Sequence, residues 1–315
     1  MAAMDLFALL GGLGLFLFGM RTMSEGLEKT AGSRLRPLLE RATRSRLRGV
    51  ATGALITALI QSSSAATVMT VGFVQAGLMS LRQAASIIMG ANIGTTATSL
   101  MLSAKVDFGA IFASAGLVLT FIPKRFAAAR SFGSVLIGLG VLFAGMDTMS
   151  DAVHPLRELP EFRTAMAQVS HPLAGLVVGA IVTAVIQSSS ASIGILQALA
   201  GEGLIGLDGA LYILFGQNVG TCITALLACA GASCEAKRAA VIHLLFNLTG
   251  AGMMTAAALL LPLDAWISTL APDSPRLQIA LAHVLFNLAT TAVLLPASTL
   301  LEQVACTIVR QARQY

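Results

Sequence analysis

The sequence predicts an all-α polytopic membrane protein of two inverted-topology repeats, each with a re-entrant helical hairpin and a broken transmembrane helix. Three observations predict this class. Of the 315 residues, 56% are hydrophobic and 11% charged, whereas a soluble domain carries roughly 25% charged residues. Apolar runs of about 20 residues, the length that crosses a bilayer, recur throughout, and mean hydropathy is +0.82. The chain also repeats itself: a shift of 126 residues lays GMRTMS (Gly19–Ser24) on GMDTMS (Gly145–Ser150), Gln61 on Gln187, and GANIGTTAT (Gly90–Thr98) on GQNVGTCIT (Gly216–Thr224). Between Gly49 and Ala65, 11 of 17 positions match their counterparts at Gly175–Ala191. Register held over such a distance marks an internal duplication.

The elements follow in the same order in each copy. Repeat 1 is placed at residues 1–125 and repeat 2 at 126–315. A transmembrane helix opens each, at about Asp5–Lys29 and about Phe132–Val153. The first has no basic segment before it and no small-residue cleavage site after it, so it reads as a span and not as a secretory signal. Hairpins are expected at 48–79 and 172–203, each with QSSS at its tip. Each arm has about 14 to 16 residues, short of the roughly 20 needed to span. The chain is therefore expected to enter, turn near mid-depth and leave on the same side. Non-helical backbone is tolerated there only where protein or a water-filled cavity surrounds it. Broken helices are expected at 82–104 and 209–230, opened at the N-[IV]-G-T segments, with further helices at 108–123, 238–262 and 277–301.

Charge sets the expected orientation. The Lys29–Arg48 connection carries seven Lys or Arg and is assigned to the cytoplasm. The first hairpin then returns inside at Arg82; the chain leaves near Lys105 and re-enters at Lys124, Arg125 and Arg130. The second hairpin starts from outside, flanked by Glu158, Glu161, Glu202 and Asp208, and the chain ends inside with Arg310 and Arg313. With Arg21 counted beside the first group and Lys237 and Arg238 at a further return inside, this places 16 of 20 basic residues on the cytoplasmic face of an inner (plasma) membrane. Inverted repeats with broken elements at the midplane are the architecture of secondary transporters. The isoelectric point near 9.4 does not indicate nucleic-acid binding, because the basic residues lie between apolar runs and form no basic domain. Cys222, Cys229, Cys234 and Cys306 form no C-x-x-C pair and read as small packing residues.

A helix ending at mid-membrane leaves carbonyls unpaired, and one beginning there leaves N–H groups unpaired. The first suits a cation and the second an anion. Serine is a preferred N-cap, and Gln61 and Gln187 each add a carbonyl oxygen and two donors. The candidate binding residues are therefore Gln61, Ser62, Ser63, Ser64, Gln187, Ser188, Ser189 and Ser190. Asn92, Thr95, Asn218 and Thr221 join them beside the glycines of the downstream segments. The competing reading of both sets is helix packing through small and hydroxyl residues. No Asp, Glu, Lys, Arg or His lies between Gln61 and Leu81 or between Gly175 and Gly201, so an anion here is expected to lack an arginine clamp and to need co-bound cations. HLLFN (His243–Asn247) and HVLFN (His283–Asn287) place His and Asn four apart on a helix face, where they are expected to join the last two helices by buried hydrogen bonds, with lining of the pathway as the alternative. Arg21 with Asp147, and Glu25 with Asp151, hold equivalent positions expected at membrane boundaries.

With both QSSS and both N-[IV]-G-T motifs in this order, the chain resembles the type II sodium–phosphate cotransporter family over nearly its whole length. The resemblance implies import of inorganic phosphate coupled to sodium by alternating access, with substrate and sodium at the hairpin tips and, less directly, at Asn92, Thr95, Asn218 and Thr221. It implies sodium as coupling ion with no other cofactor, and no enzyme activity. A homodimer in the lipid bilayer is also among the expectations. Many bacterial members continue into a PhoU-like domain, and animal members carry a long extracellular loop with a disulfide; neither is expected within these 315 residues. Rival readings are a sodium-coupled carrier of another oxyanion or a carboxylate, a channel or structural membrane protein, and an intramembrane hydrolase with His243 or His283 as base. The last lacks a G-x-S-x-G motif.

Overall fold

The computed structural model describes residues 6–41, 45–104, 109–123, 126–155, 169, 171–229 and 231–310. The described residues form helices and connections, with no strand among them. The first half contains α1 (Leu6–Arg41), α2 (Arg46–Ile60), α3 (Ser63–Gln75), α4 (Leu81–Ser103), α5 (Gly109–Thr120) and α6 (Ala127–Val153). The second contains α7 (Pro172–Ile186), α8 (Ser189–Gly201), α9 (Leu207–Gly220), α10 (Cys222–Ala228), α11 (Cys234–Leu260), α12 (Leu263–Leu270), α13 (Pro275–Leu294) and α14 (Ser298–Ile308). Among the described residues, six stretches are long and apolar enough to cross a membrane: Leu6–Met23, Leu81–Ser103, Ala129–Val153, Leu207–Ala228, Cys234–Leu260 and Pro275–Leu294. The flanking helices α2 and α3 have 15 and 13 residues. At about 1.5 Å per residue, neither reaches across a hydrocarbon core of roughly 30 Å.

Glycines bring the helices together. α1 packs along α6, and a methyl group on Gly19 or on Gly145 would lie 2.6 Å from the carbonyl of Gly138 or Gly12, respectively. The paired numbers run in opposite senses, so the two helices are antiparallel. α2 packs on α4 as α7 packs on α9. A methyl on Gly53 would meet the Ile87 carbonyl at 2.1 Å, and one on Gly179 would meet the Ile213 carbonyl at 2.0 Å. Gly90 stands against the Val50 carbonyl and Gly216 against that of Leu176, both at 2.0 Å from the would-be methyl. Such contacts replace side-chain layers where hydrophobic burial cannot drive helix association.

The cores bind the two halves to one another. Phe16, Met20 and Met23 of α1 pack with Leu142, Met146 and Met149 of α6 and Ala191 of α8. Ile56, Ala66 and Val71 of the first helix pair join Ala225 of α10 and Ala236, Ala239 and Ala240 of α11. A third core lies within the second half, where Ile193 and Leu196 of α8 pack with Phe215, Ile279 and Phe286.

Several boundaries differ from expectation. α1 continues as helix through Arg41, so much of the expected polar connection is helical. The helix expected to be broken at 82–104 is continuous from Leu81 to Ser103. Gly90 and Gly94 admit the α2 backbone there and do not open their own. Asn92 Nδ2 donates to the Ile88 carbonyl at 2.9 Å and Thr95 Oγ1 to that of Ala91 at 3.0 Å, so the polar groups are satisfied one turn back. In the second copy the helix is interrupted only at Thr221, whose backbone stays right-handed at φ −61° and ψ −23°. Its hydroxyl donates to the Asn218 carbonyl at 2.7 Å, competing with the backbone for that acceptor. The expected 277–301 helix is divided into α13 and α14 around Pro296, which cannot continue a helix ladder. A short helix, α12, stands before α13 where no element was expected. The topology marks at Lys105, Lys124, Arg125, Glu158, Glu161 and Arg313 lie outside the described residues.

Candidate functional site

Each QSSS is the junction between two short helices. Gln61 ends α2 at φ 58° and ψ 28°, and Gln187 ends α7 at φ 57° and ψ 22°. Among the described residues these are the only non-glycine residues with positive φ. That region is rare for a side-chain-bearing residue, and glycine would occupy it freely. A glutamine held there points to use of the side chain. Gln61 Oε1 accepts from Thr98 Oγ1 at 2.8 Å, and Gln61 Nε2 donates to the Ala58 carbonyl. The next residue caps the following helix in both copies: Ser62 Oγ accepts from Ala65 N at 3.1 Å and Ser188 Oγ from Ala191 N at 3.3 Å.

The tips meet. Ser63 Oγ lies 3.4 Å from Ser189 Oγ, its own counterpart under the 126-residue shift. Ser64 Oγ accepts from Thr224 Oγ1 at 3.3 Å. A cavity of about 330 Å³ is lined by Gln61, Ser62, Ser63, Ser64, Gln187, Ser188, Ser189 and Ser190, together with Met20 and Arg21. The starts of α3 and α8 both border it, so their first-turn N–H groups give this cavity a positive bias. Ser190 is buried, and its hydroxyl has no partner among the described residues.

A second cavity of about 10 Å³, enough for one water-sized occupant, shares Ser63 and Ser189 with the first. Ser63, Asn92, Thr95, Ser189, Ile193, Gln217, Asn218, Thr221 and His283 line it. The four Asn and Thr candidates are thus brought together with the tip serines, through side chains and not through an unwound backbone. Asn218 Nδ2 donates to the Leu214 carbonyl at 2.8 Å, as Asn92 does one repeat earlier. Only in the second copy is the amide oxygen engaged as well: His283 Nε2 lies 3.3 Å and Asn287 Nδ2 3.5 Å from Asn218 Oδ1. The two HxxxN pairs therefore do not bond the last helices to each other. His283 and Asn287 engage Asn218, while Asn247 donates to Cys222 Sγ at 3.3 Å.

Met20, Arg21, Ile193, Gln217 and His283 line the two cavities from outside the candidate set, and two of them, Arg21 and His283, carry ionisable side chains. His283, for which packing and pathway lining are the two sequence readings, borders the smaller cavity. Arg21 was placed at a membrane boundary; it lies 40 residues before Gln61 and reaches the cavity only through the fold. The local chain around each tip carries no arginine, and Arg21 of α1 borders their shared cavity.

Apolar spans enclosing paired polar tips define a multi-pass α-helical membrane protein. The model of the Na+/Pi-cotransporter family matches residues 15–151 and 159–268. The chain belongs to that family, which is a family of transporters. It is 33% identical over 290 residues to "Uncharacterized protein YqeW" of Bacillus subtilis (strain 168), covering 90% of this chain and 92% of that protein. It is 27% identical over 314 residues to "Putative inorganic phosphate export protein YjbB" of Escherichia coli (strain K12), covering 98% of this chain and 56% of that one. It is 37% identical over 105 residues to "Sodium-dependent phosphate transport protein 2A" of Rattus norvegicus, covering 31% of this chain and 16% of that one. The chain thus spans about half the length of the phosphate-export relative. No solved structure matches it.

Proposed function

We propose that this chain moves inorganic phosphate across a plasma membrane, coupled to sodium, by alternating access about the two QSSS tips. The observation that carries the reading is the single cavity shared by all eight tip residues, with two helix starts on its wall. Oriented N–H groups and hydroxyls suit a tetrahedral oxyanion. Neutral oxygens at Asn92, Thr95, Ser63 and Ser189 suit a small cation in the adjoining space. Support for inverted, re-entrant repeats comes from the antiparallel α1–α6 pair, the matched glycine contacts and the self-paired Ser63 and Ser189.

Purified protein in sealed proteoliposomes is expected to accumulate labelled phosphate when sodium is supplied on the outside, and not under a pH gradient alone. Accumulation driven by protons in sodium-free vesicles would sink the sodium assignment. The name of the Escherichia coli relative states export, the reverse of the import that the sequence leads one to expect, so the same vesicles should be loaded and tested for sodium-dependent efflux. Competition by arsenate, sulfate and dicarboxylates separates phosphate from the runner-up, another oxyanion or a carboxylate.

The orientation has its own test. In sealed cells, an impermeant thiol reagent is expected to label His171→Cys from outside and to leave Lys29→Cys unlabelled until the membrane is opened. Labelling of both from the same side overturns the inverted topology.

A further inference from the structure

We infer that Arg21 is the anion-recruiting residue of the tip cavity and releases Glu25 to take one oxygen of the incoming anion. The inference rests on the assignment of the anion to this cavity. Among the described residues, Arg21 is the one charged residue on the cavity wall, beside Met20 and the eight residues of the two tips. Its side chain is 81% exposed, so it is free to swing. Its Nε donates to Glu25 Oε1 at 2.9 Å, an exposed pair one turn apart on α1. Such a pair holds its partners weakly, and its loss costs the fold little. A guanidinium presents donors in a planar fork that matches phosphate and carboxylate oxygens.

Two further observations favour recruitment over packing. Ser190, buried and lining the same cavity with no hydrogen bond from its hydroxyl to a described residue, gives the anion a fixed donor beside a mobile one. The duplication places Asp147, not a basic residue, at the position equivalent to Arg21. The charge is therefore no relic of a symmetric packing scheme; the two halves carry opposite signs at matching places. The ligand class is an oxyanion with two oxygens to spare, one for Arg21 and others for the tip donors.

The test is phosphate uptake into proteoliposomes, measured as KM for phosphate and for sodium, normalised to reconstituted protein. Arg21→Gln is expected to raise the phosphate KM about tenfold or more and to leave the sodium dependence near wild type. Arg21→Lys should recover part of the loss, since it keeps the charge but not the fork. Glu25→Gln frees Arg21 and should lower the phosphate KM or leave it unchanged. If Arg21→Gln and Glu25→Gln impair uptake equally, the pair is a helix brace and the inference is overturned. If Arg21→Gln keeps the wild-type KM while Ser190→Ala raises it, the cavity binds the anion without Arg21, and the inference fails alone. If neither variant changes the phosphate KM, the cavity assignment fails and this inference falls with it.

Discussion

Ser190→Ala is expected to cut phosphate binding by about 10- to 150-fold while the protein still reaches the membrane and keeps its melting temperature. The size follows from the loss of one hydrogen bond to a charged group, roughly 1.5 to 3 kcal/mol. The direction follows from position. Ser190 is buried, lines the tip cavity and spends its hydroxyl on no other described group. Alanine fits the space, so a packing role would lose almost nothing. Gln61→Gly sharpens the contrast. It removes the positive-φ cost at the turn and also removes the amide that takes the Thr98 hydroxyl at 2.8 Å. The variant should be no less stable than the parent in thermal unfolding, yet defective in uptake. Wild-type uptake by both variants would return the tips to the status of helix glue.

The second large effect is on the fold itself. Gly179→Ala and Gly216→Ala are each expected to prevent accumulation of folded protein. The added methyl would stand 2.0 Å from the carbonyl oxygen of Ile213 or Leu176. Neither obstacle is a side chain that can rotate away, so the α7–α9 pair must separate along its length. Overpacking costs roughly 1 to 3 kcal/mol where side chains can adjust, and these sites lie at or above that range. Gly72 and Gly252 have open space at the same position, so alanine there controls for glycine content. Size-exclusion profiles of detergent-solubilised variants read the outcome. Monodisperse Gly179→Ala with wild-type melting would refute the close-packed seam.

The all-helical, multi-span class was legible because hydropathy and the duplication both survive in one chain. The short helices on either side of each QSSS were legible from arm length alone. The continuity of α4 was not. A glycine beside Asn and Thr reads equally as a point of opening or as a point of close approach, and only the neighbour decides. Gly90 and Gly94 have the backbone of α2 as neighbour, which no local window contains. The division at Pro296 follows from the missing N–H of proline, a local signal that the continuous apolar run of 277–301 masks. Arg21 at the tip cavity and the bonds from His283 and Asn287 to Asn218 Oδ1 depend on contacts far apart in sequence. Charge and spacing name such residues without saying whom they meet.

The glycine seams also divide the molecule by stiffness. Where α2 lies on α4 and α7 on α9, main chain touches main chain, with no layer of rotatable side chains to absorb displacement. Each pair behaves as a plank. Between the two tips, by contrast, the contact is one pair of hydroxyls at 3.4 Å with a 330 Å³ void beside it. Of the contacts that join the two hairpins, the serine junction is thus the one with room beside it for the tips to move apart.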